Sequence, residues 1–213
     1  MPNLELTHLV FLLDRSGSMQ IIKSDVEGGF AAFIDEQRAV TGECTVTLAQ
    51  FDTKYEVVYR DVPLEDVPAL DLQPRSSTAL LDAMGKLITD ISAEHSALSE
   101  EERPGAVIVA IMTDGLENAS RTWTRPAIKK LVELHTNQYD WQFLYMGADQ
   151  DAIEVGTDLG VKREQSLTYS KGKSRDAMSA ASANIRSYRD AKQISPSAPM
   201  PAFSPQQRVD AED

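Results

Sequence analysis

Three short stretches of this sequence put hydroxyl and carboxylate side chains where the chain leaves an apolar run or opens a helix. Asp14, Ser16 and Ser18 stand in LVFLLDRSGS, Thr78 follows Ser76 and Ser77 at the head of TALLDAMGKLITDI, and Asp114 follows Thr113 at the end of GAVIVAIMTDG. Taken singly, each is what a turn or a helix cap looks like. Three independent loops with the same chemistry are harder to read as punctuation. All five side chains are hard oxygen donors, which suit Mg2+ or Mn2+ in an octahedral shell better than Zn2+, for which His and Cys are expected. The hydroxyls of Ser16, Ser18 and Thr78 carry no formal charge. With those three bound directly and Asp14 and Asp114 acting partly through water, a cation stays electron-poor and open to an anionic oxygen from outside.

The elements that must bring these loops together alternate along the chain. LVFLLD is a short apolar strand buried on both faces of a parallel sheet. SDVEGGFAAFIDEQ is a helix, with Ser24 and Glu27 at capping-box spacing and Val26, Phe30, Phe33, Ile34 and Gln37 at helical intervals. Its Gly28 and Gly29 either weaken it or let it pack closely. CTVTLAQF and YEVVYRDV around DTK form an antiparallel pair at a sheet edge, with Cys44 a buried strand residue. The proline-rich PLEDVPALDLQPRSS holds at most one turn of helix and leads into a core-facing helix starting near Thr78. GAVIVAIM is a strand, TRPAIKKLVELHT a helix with Pro126 near its first turn, and WQFLYMGAD a strand. QDAIEVGTDLGV is a helix ended by Gly160, SLTYS a last short strand, and SRDAMSAASANIRSYRDAK a closing helix. The pattern predicts an α/β fold of three layers: a doubly wound, mostly parallel central sheet with one antiparallel edge strand, spanning residues 1–192. Residues 193–213, rich in Pro and Ser and acidic at the end, have the composition of a disordered tail. In such sheets ligands bind beyond the carboxyl ends of the strands, where strand order reverses, and all three oxygen-bearing loops fall on that edge.

DRSGS at the first strand, the Thr of SSTALLDA after a proline-rich loop and the Asp of MTDG together resemble a von Willebrand factor A (vWA) domain with an intact metal-ion-dependent adhesion site (MIDAS). The likeness runs from about Asn3 to Lys192, and the helix GGFAAFIDEQR is similar to that of small bacterial and phage vWA proteins. The resemblance implies a Rossmann-like fold with the first and fourth strands adjacent at its centre. It implies that Asp14, Ser16, Ser18, Thr78 and Asp114 are the metal residues, and that a Glu or Asp carboxylate of a protein partner fills the open position.

The remaining composition narrows the function classes. Of 213 residues, 21 are basic and 33 acidic, a formal charge of −12. With no run of Lys or Arg, nucleic acid is not an expected partner. The N-terminal stretch lacks the positive charge of a signal peptide, its first apolar run is far too short to span a membrane, and the lone Cys44 cannot form an internal disulfide. A cytoplasmic protein is expected. Catalysis is not, although a metal-dependent hydrolase or phosphatase is the enzymatic alternative: a haloacid-type phosphatase needs a second acid where Ser16 stands. His8 is expected to precede the first strand, and His95 and His135 lie near helix ends in solvated or capping roles. Gly-x-Ser-x-Gly, Gly-x-Gly-x-x-Gly and Walker loops are missing. The expected function is a metal-dependent protein-binding module, with Arg15, Arg121 and Trp123 as candidate rim residues. The alternative is a scaffold subunit that docks through its acidic surface or its tail.

Overall fold

The computed structural model describes residues 2–213. Its centre is a six-stranded sheet made of β1 (Asn3–Asp14), β2 (Glu43–Phe51), β3 (Tyr55–Pro63), β4 (Pro104–Thr113), β5 (Gln142–Ala148) and β6 (Ser166–Tyr169). The strand order is β3-β2-β1-β4-β5-β6. Five strands run parallel and β3 returns antiparallel on β2 at one edge. The chain therefore winds outward in one direction from β1 and in the other from β4, so the reversal falls between these two central strands.

β1 is apolar on both faces because both faces are covered. Leu9, Phe11 and Leu13 meet the helices α1 (Lys23–Arg38) and α5 (Ser174–Ile194), where Phe30 and Phe33 stand edge-on to Phe11. Val10 and Leu12 point the other way, into a core shared with α2 (Leu80–Ala97), α3 (Arg125–Tyr139) and α4 (Ala152–Asp158). The glycines of α1 serve close packing: a Cβ on Gly29 would lie 3.2 Å from the Arg175 Cα and 3.5 Å from the Met178 side chain of α5. The expected capping box is not formed. Ile22 caps α1, Ser24 sits inside the helix, and Glu27 instead accepts the backbone N–H of Leu72 at 2.9 Å, which ties the proline-rich loop down.

Two expectations fail here for identifiable reasons. The segment after Lys192 is packed, not disordered: Met200, Phe203 and Ala211 are buried, and α6 (Pro205–Glu212) begins with a capping box between Ser204 and Gln207. Three apolar anchors suffice to hold a stretch whose average composition is polar. Phe203 N–H donates to Glu164 C=O at 2.9 Å, and Ser170 N–H donates to Ala211 C=O at 2.9 Å, so this segment covers the β6 side of the sheet.

The histidines are also placed differently. β1 starts five residues before His8, which lies within the strand and is 1 % exposed. Its Nδ1 is 2.9 Å from His95 Nε2 and its Nε2 is 2.8 Å from Thr47 Oγ1. His135 is buried against the Trp141 ring and bonds Leu131 C=O through Nδ1 at 2.8 Å. Burial pushes His8 down to about 4, against the pull of Asp61 and with the help of His95. The unfolded chain takes up this proton at a higher pH than the folded one, so acid favours unfolding. The stabilisation is complete above about pH 6.5 and is lost as pH falls towards 4, on the order of 3 kcal/mol. Urea unfolding across this window should show that slope, and a His8→Gln protein should flatten it; an unchanged slope would place the acid sensitivity elsewhere.

Candidate metal centre

Asp14 is the last residue of β1 and is fully buried. Its Oδ1 accepts the backbone N–H of Ser16 at 2.6 Å, which bends the chain sharply off the strand, and its Oδ2 accepts the hydroxyl of Thr113 at the end of β4, also at 2.6 Å. Ser16 and Ser18 flank the start of a short 3-10 helix (Gly17–Ile21), with their hydroxyls 3.1 Å apart. The Ser18 hydroxyl donates to Asp114 Oδ1 at 2.6 Å, closing the gap between the first and fourth strand ends.

Thr78, buried just ahead of α2, completes the set. Its N–H donates to Asn118 Oδ1 and its C=O accepts Asn118 N–H, both at 3.0 Å. A Cβ on Gly115 would lie 3.5 Å from Thr78 Oγ1 and 4.0 Å from Ser18 Oγ, so both hydroxyls lie against the loop that follows β4. The structure thus brings all five residues to one crevice at the reversal of strand order. Asp14, Ser16, Thr78 and Asp114 are buried, and Ser18 stands exposed at its mouth.

The electrostatics of the crevice are unbalanced. Burial, aided by the nearby Asp114, pushes the Asp14 carboxyl up to about 6, although the bonds from Thr113 and Ser16 pull the other way. Asp114 Oδ2 is buried and accepts from no group. A carboxylate oxygen of this kind is expected to have a partner. Two carboxylates and three hydroxyls form an oxygen-only donor set, and among the described residues no three His, Cys, Asp or Glu side chains gather as a metal cluster. The donor set fits a hard cation and does not fit Zn2+ in a structural thiolate or imidazole site.

Several positioning residues carry no local signal in the sequence. Asp52, in the β2–β3 turn, is 1 % exposed and its Oδ2 accepts from Arg15 Nε at 3.0 Å and Arg75 Nε at 2.8 Å. Backbone bonds run alongside: Arg15 N–H to Phe51 C=O, Gly17 N–H to Ser76 C=O, and Ala79 N–H to Asp52 C=O. Arg15 is therefore an internal strut, 5 % exposed, and not a rim residue. After Asp114, Glu117 accepts the N–H groups of Leu81, Ala119 and Ser120, and Asp82 accepts those of Arg121, Thr122 and Trp123. Trp123 is half-buried over Gly85, where any Cβ would overlap the indole. Only Arg121 of the three expected rim residues is fully at the surface.

No protein-family model and no curated protein matches this sequence. Solved structures do. The vWF domain of the type V pili tip protein Mfa5 from Porphyromonas gingivalis superposes with a TM-score of 0.61 at 10% identity, over 84% of this chain and 94% of that one. The ArnB paralog VWA2 from Sulfolobus acidocaldarius gives 0.56 at 14%, over 84% and 44%. Proximal thread matrix protein 1 from the mussel byssus, in a structure with a zinc-occupied MIDAS motif, gives 0.56 at 14%, over 87% and 46%. The chain spans less than half the length of the latter two. At these identities the likeness is one of fold: the chain has the Rossmann-like vWA fold.

Proposed function

We propose, from the vWA fold and the oxygen cluster at its switch point, that this chain is a protein-interaction module whose crevice holds one divalent cation, Mg2+ or Mn2+, and through it takes a Glu or Asp carboxylate of a partner protein. The observation that carries this is Asp114 Oδ2, a buried carboxylate oxygen with nothing to accept from, on a carboxylate whose other oxygen takes the Ser18 hydroxyl and whose neighbour Gly115 lies against Thr78. Ser16, Ser18, Thr78 and Asp114 would hold the ion, and Asp14 would orient the loop through Ser16 N–H. A cation in that place offers a Lewis-acidic position to an anionic oxygen. The occupied MIDAS motif of the mussel protein supports a divalent ion on this fold, though there it is zinc. The hard oxygen donors present here favour Mg2+ or Mn2+.

A binding role is favoured over hydrolysis by the placement of the imidazoles. His8, His95 and His135 cluster with Trp141 around the amino-terminal half of the sheet, away from Asp14 and Asp114. Among the described residues no helix is long and apolar enough to cross a membrane.

The test is calorimetric titration of MgCl2 and MnCl2 into protein stripped with EDTA, followed by partner capture with and without chelator. One ion per chain and chelator-sensitive capture are expected. Correctly folded protein that takes up no ion at millimolar metal would end the proposal and leave the five residues as turns and caps.

A further inference from the structure

Beside the metal crevice the surface opens into a groove of about 560 Å3, lined by Thr53, Ser77, Asp82, Asn118, Ser120 and Arg121. The carboxylate and amide oxygens in it are already engaged. Asp82 Oδ1 accepts Thr122 and Trp123 N–H at 2.9 and 2.7 Å, and its Oδ2 accepts Arg121 N–H at 2.8 Å. Asn118 Oδ1 accepts Thr78 N–H. Ser120 Oγ accepts Asp82 N–H at 3.0 Å while donating to Glu117 Oε2 at 2.7 Å. What is left facing the groove is a set of donors. The Asn118 amide N–H groups, the Ser77 hydroxyl and the Arg121 guanidinium are at the surface and make no side-chain hydrogen bond or ion pair among the described residues.

On the opposite flank of the crevice the arginines are spent. Arg15 is held by Asp52 and Glu56, and Arg75 by Asp52 at 2.8 Å with Glu56 at 3.7 Å. The Arg121 backbone, in contrast, is fixed by Asp82, and its guanidinium, whose charge acts on Asp82 without a close ion pair, is presented from a defined point in the groove it lines with Asn118 and Ser77. This matters on a chain whose formal charge is −12, because an acidic partner is repelled at long range and must gain its affinity from local contacts.

We propose that the groove reads the residues next to the metal-bound carboxylate, and that the preferred partner segment is an extended acidic peptide carrying a second carboxylate, which pairs with Arg121 while its backbone carbonyls accept from Asn118 and Ser77. The inference rests on the cation-dependent role proposed for the crevice. One direction along the peptide is favoured, since the free cation lies on one flank only.

The experiment uses full-length protein with saturating Mg2+ and a panel of blocked octapeptides in a Gly/Ser background. One peptide has a single Glu; the others add a second Glu one to four positions before or after it. Dissociation constants are read by NMR titration, and each gain is taken as a ratio to the single-Glu peptide on the same protein, so that a general loss of affinity cancels. One spacing on one side should bind about fivefold tighter, the scale of a partly exposed ion pair, and Arg121→Gln should bring the ratio back to one. No spacing-dependent gain, a gain that survives Arg121→Gln, or a gain seen only when phosphoserine replaces the second Glu overturns the inference. Calorimetry with MgCl2 alone separates the two levels: no heat removes the metal site and this inference with it, whereas Mg2+ binding without a gain removes this inference only.

Discussion

An Asp114→Asn protein should bind Mg2+ at least about a hundredfold more weakly than the wild type and yet melt a few degrees higher in EDTA. The two effects have one cause. Asp114 Oδ2 is a buried oxygen with no donor, placed close enough to Asp14 to help push that carboxyl upward. Asn keeps the acceptor that Ser18 uses and removes one of two buried acids from the crevice, which relieves the charge that Asp114 sets against Asp14. About 1 kcal/mol of relief corresponds to roughly 2–4 °C in a domain of this size. Differential scanning calorimetry in EDTA and isothermal titration with MgCl2 read both quantities on one preparation. Mg2+ affinity equal to wild type would remove Asp114 from the ion's shell, and a lower melting temperature in EDTA would mark it as a structural residue.

Asp52→Ala should be the most damaging single change near the crevice, at about 3 kcal/mol of stability. Asp52 is almost fully buried and holds Arg15, itself 5 % exposed, together with Arg75. Without it, the Arg15 guanidinium keeps only Glu56, whose side chain is more than half exposed. The loss is mainly that of an uncompensated buried charge, so Asp52→Ala combined with Arg15→Met should recover most of it. Urea unfolding of the two single variants and the double variant forms the cycle. A double variant as unstable as the sum of its parts would show that the loss comes from the loop backbone and not from the stranded charge.

The parts of the fold that were legible are those where burial imposes a pattern over many residues. LVFLL and AVIVAIM read as strands buried on both faces because continuous apolar strands need cover on both sides; that they lie side by side at the centre was implied by the vWA resemblance, and the structure pairs β1 with β4 there. That Asp14, Ser16, Ser18, Thr78 and Asp114 lie close together was legible because the loops beyond the carboxyl ends of the strands in a doubly wound sheet converge on one crevice. What was not legible depends on single contacts between distant segments. Nothing local in FDTK says that Asp52 will hold two arginines from other loops, and Glu117 looks like any loop acid until it is seen to accept Leu81 N–H at the start of α2. His8 was misplaced because the polar residues before it hide the first part of β1, which is sustained by pairing with β2 and β4. The segment after Lys192 was misjudged because composition averages over the three apolar side chains that anchor it.

The grip of Glu117 and Asp82 on the loop after β4 bears on how the surface meets whatever it binds. Each carboxylate holds three backbone N–H groups, so the loop's conformational entropy is given up during folding and little is left to lose on association. Complex formation should then behave as docking of a preformed face, with single-step kinetics and modest backbone movement. The same stiffness removes the option of adapting to an imperfect ligand, and selectivity follows from rigidity: a mismatched segment must deform itself, because this side of the contact will not.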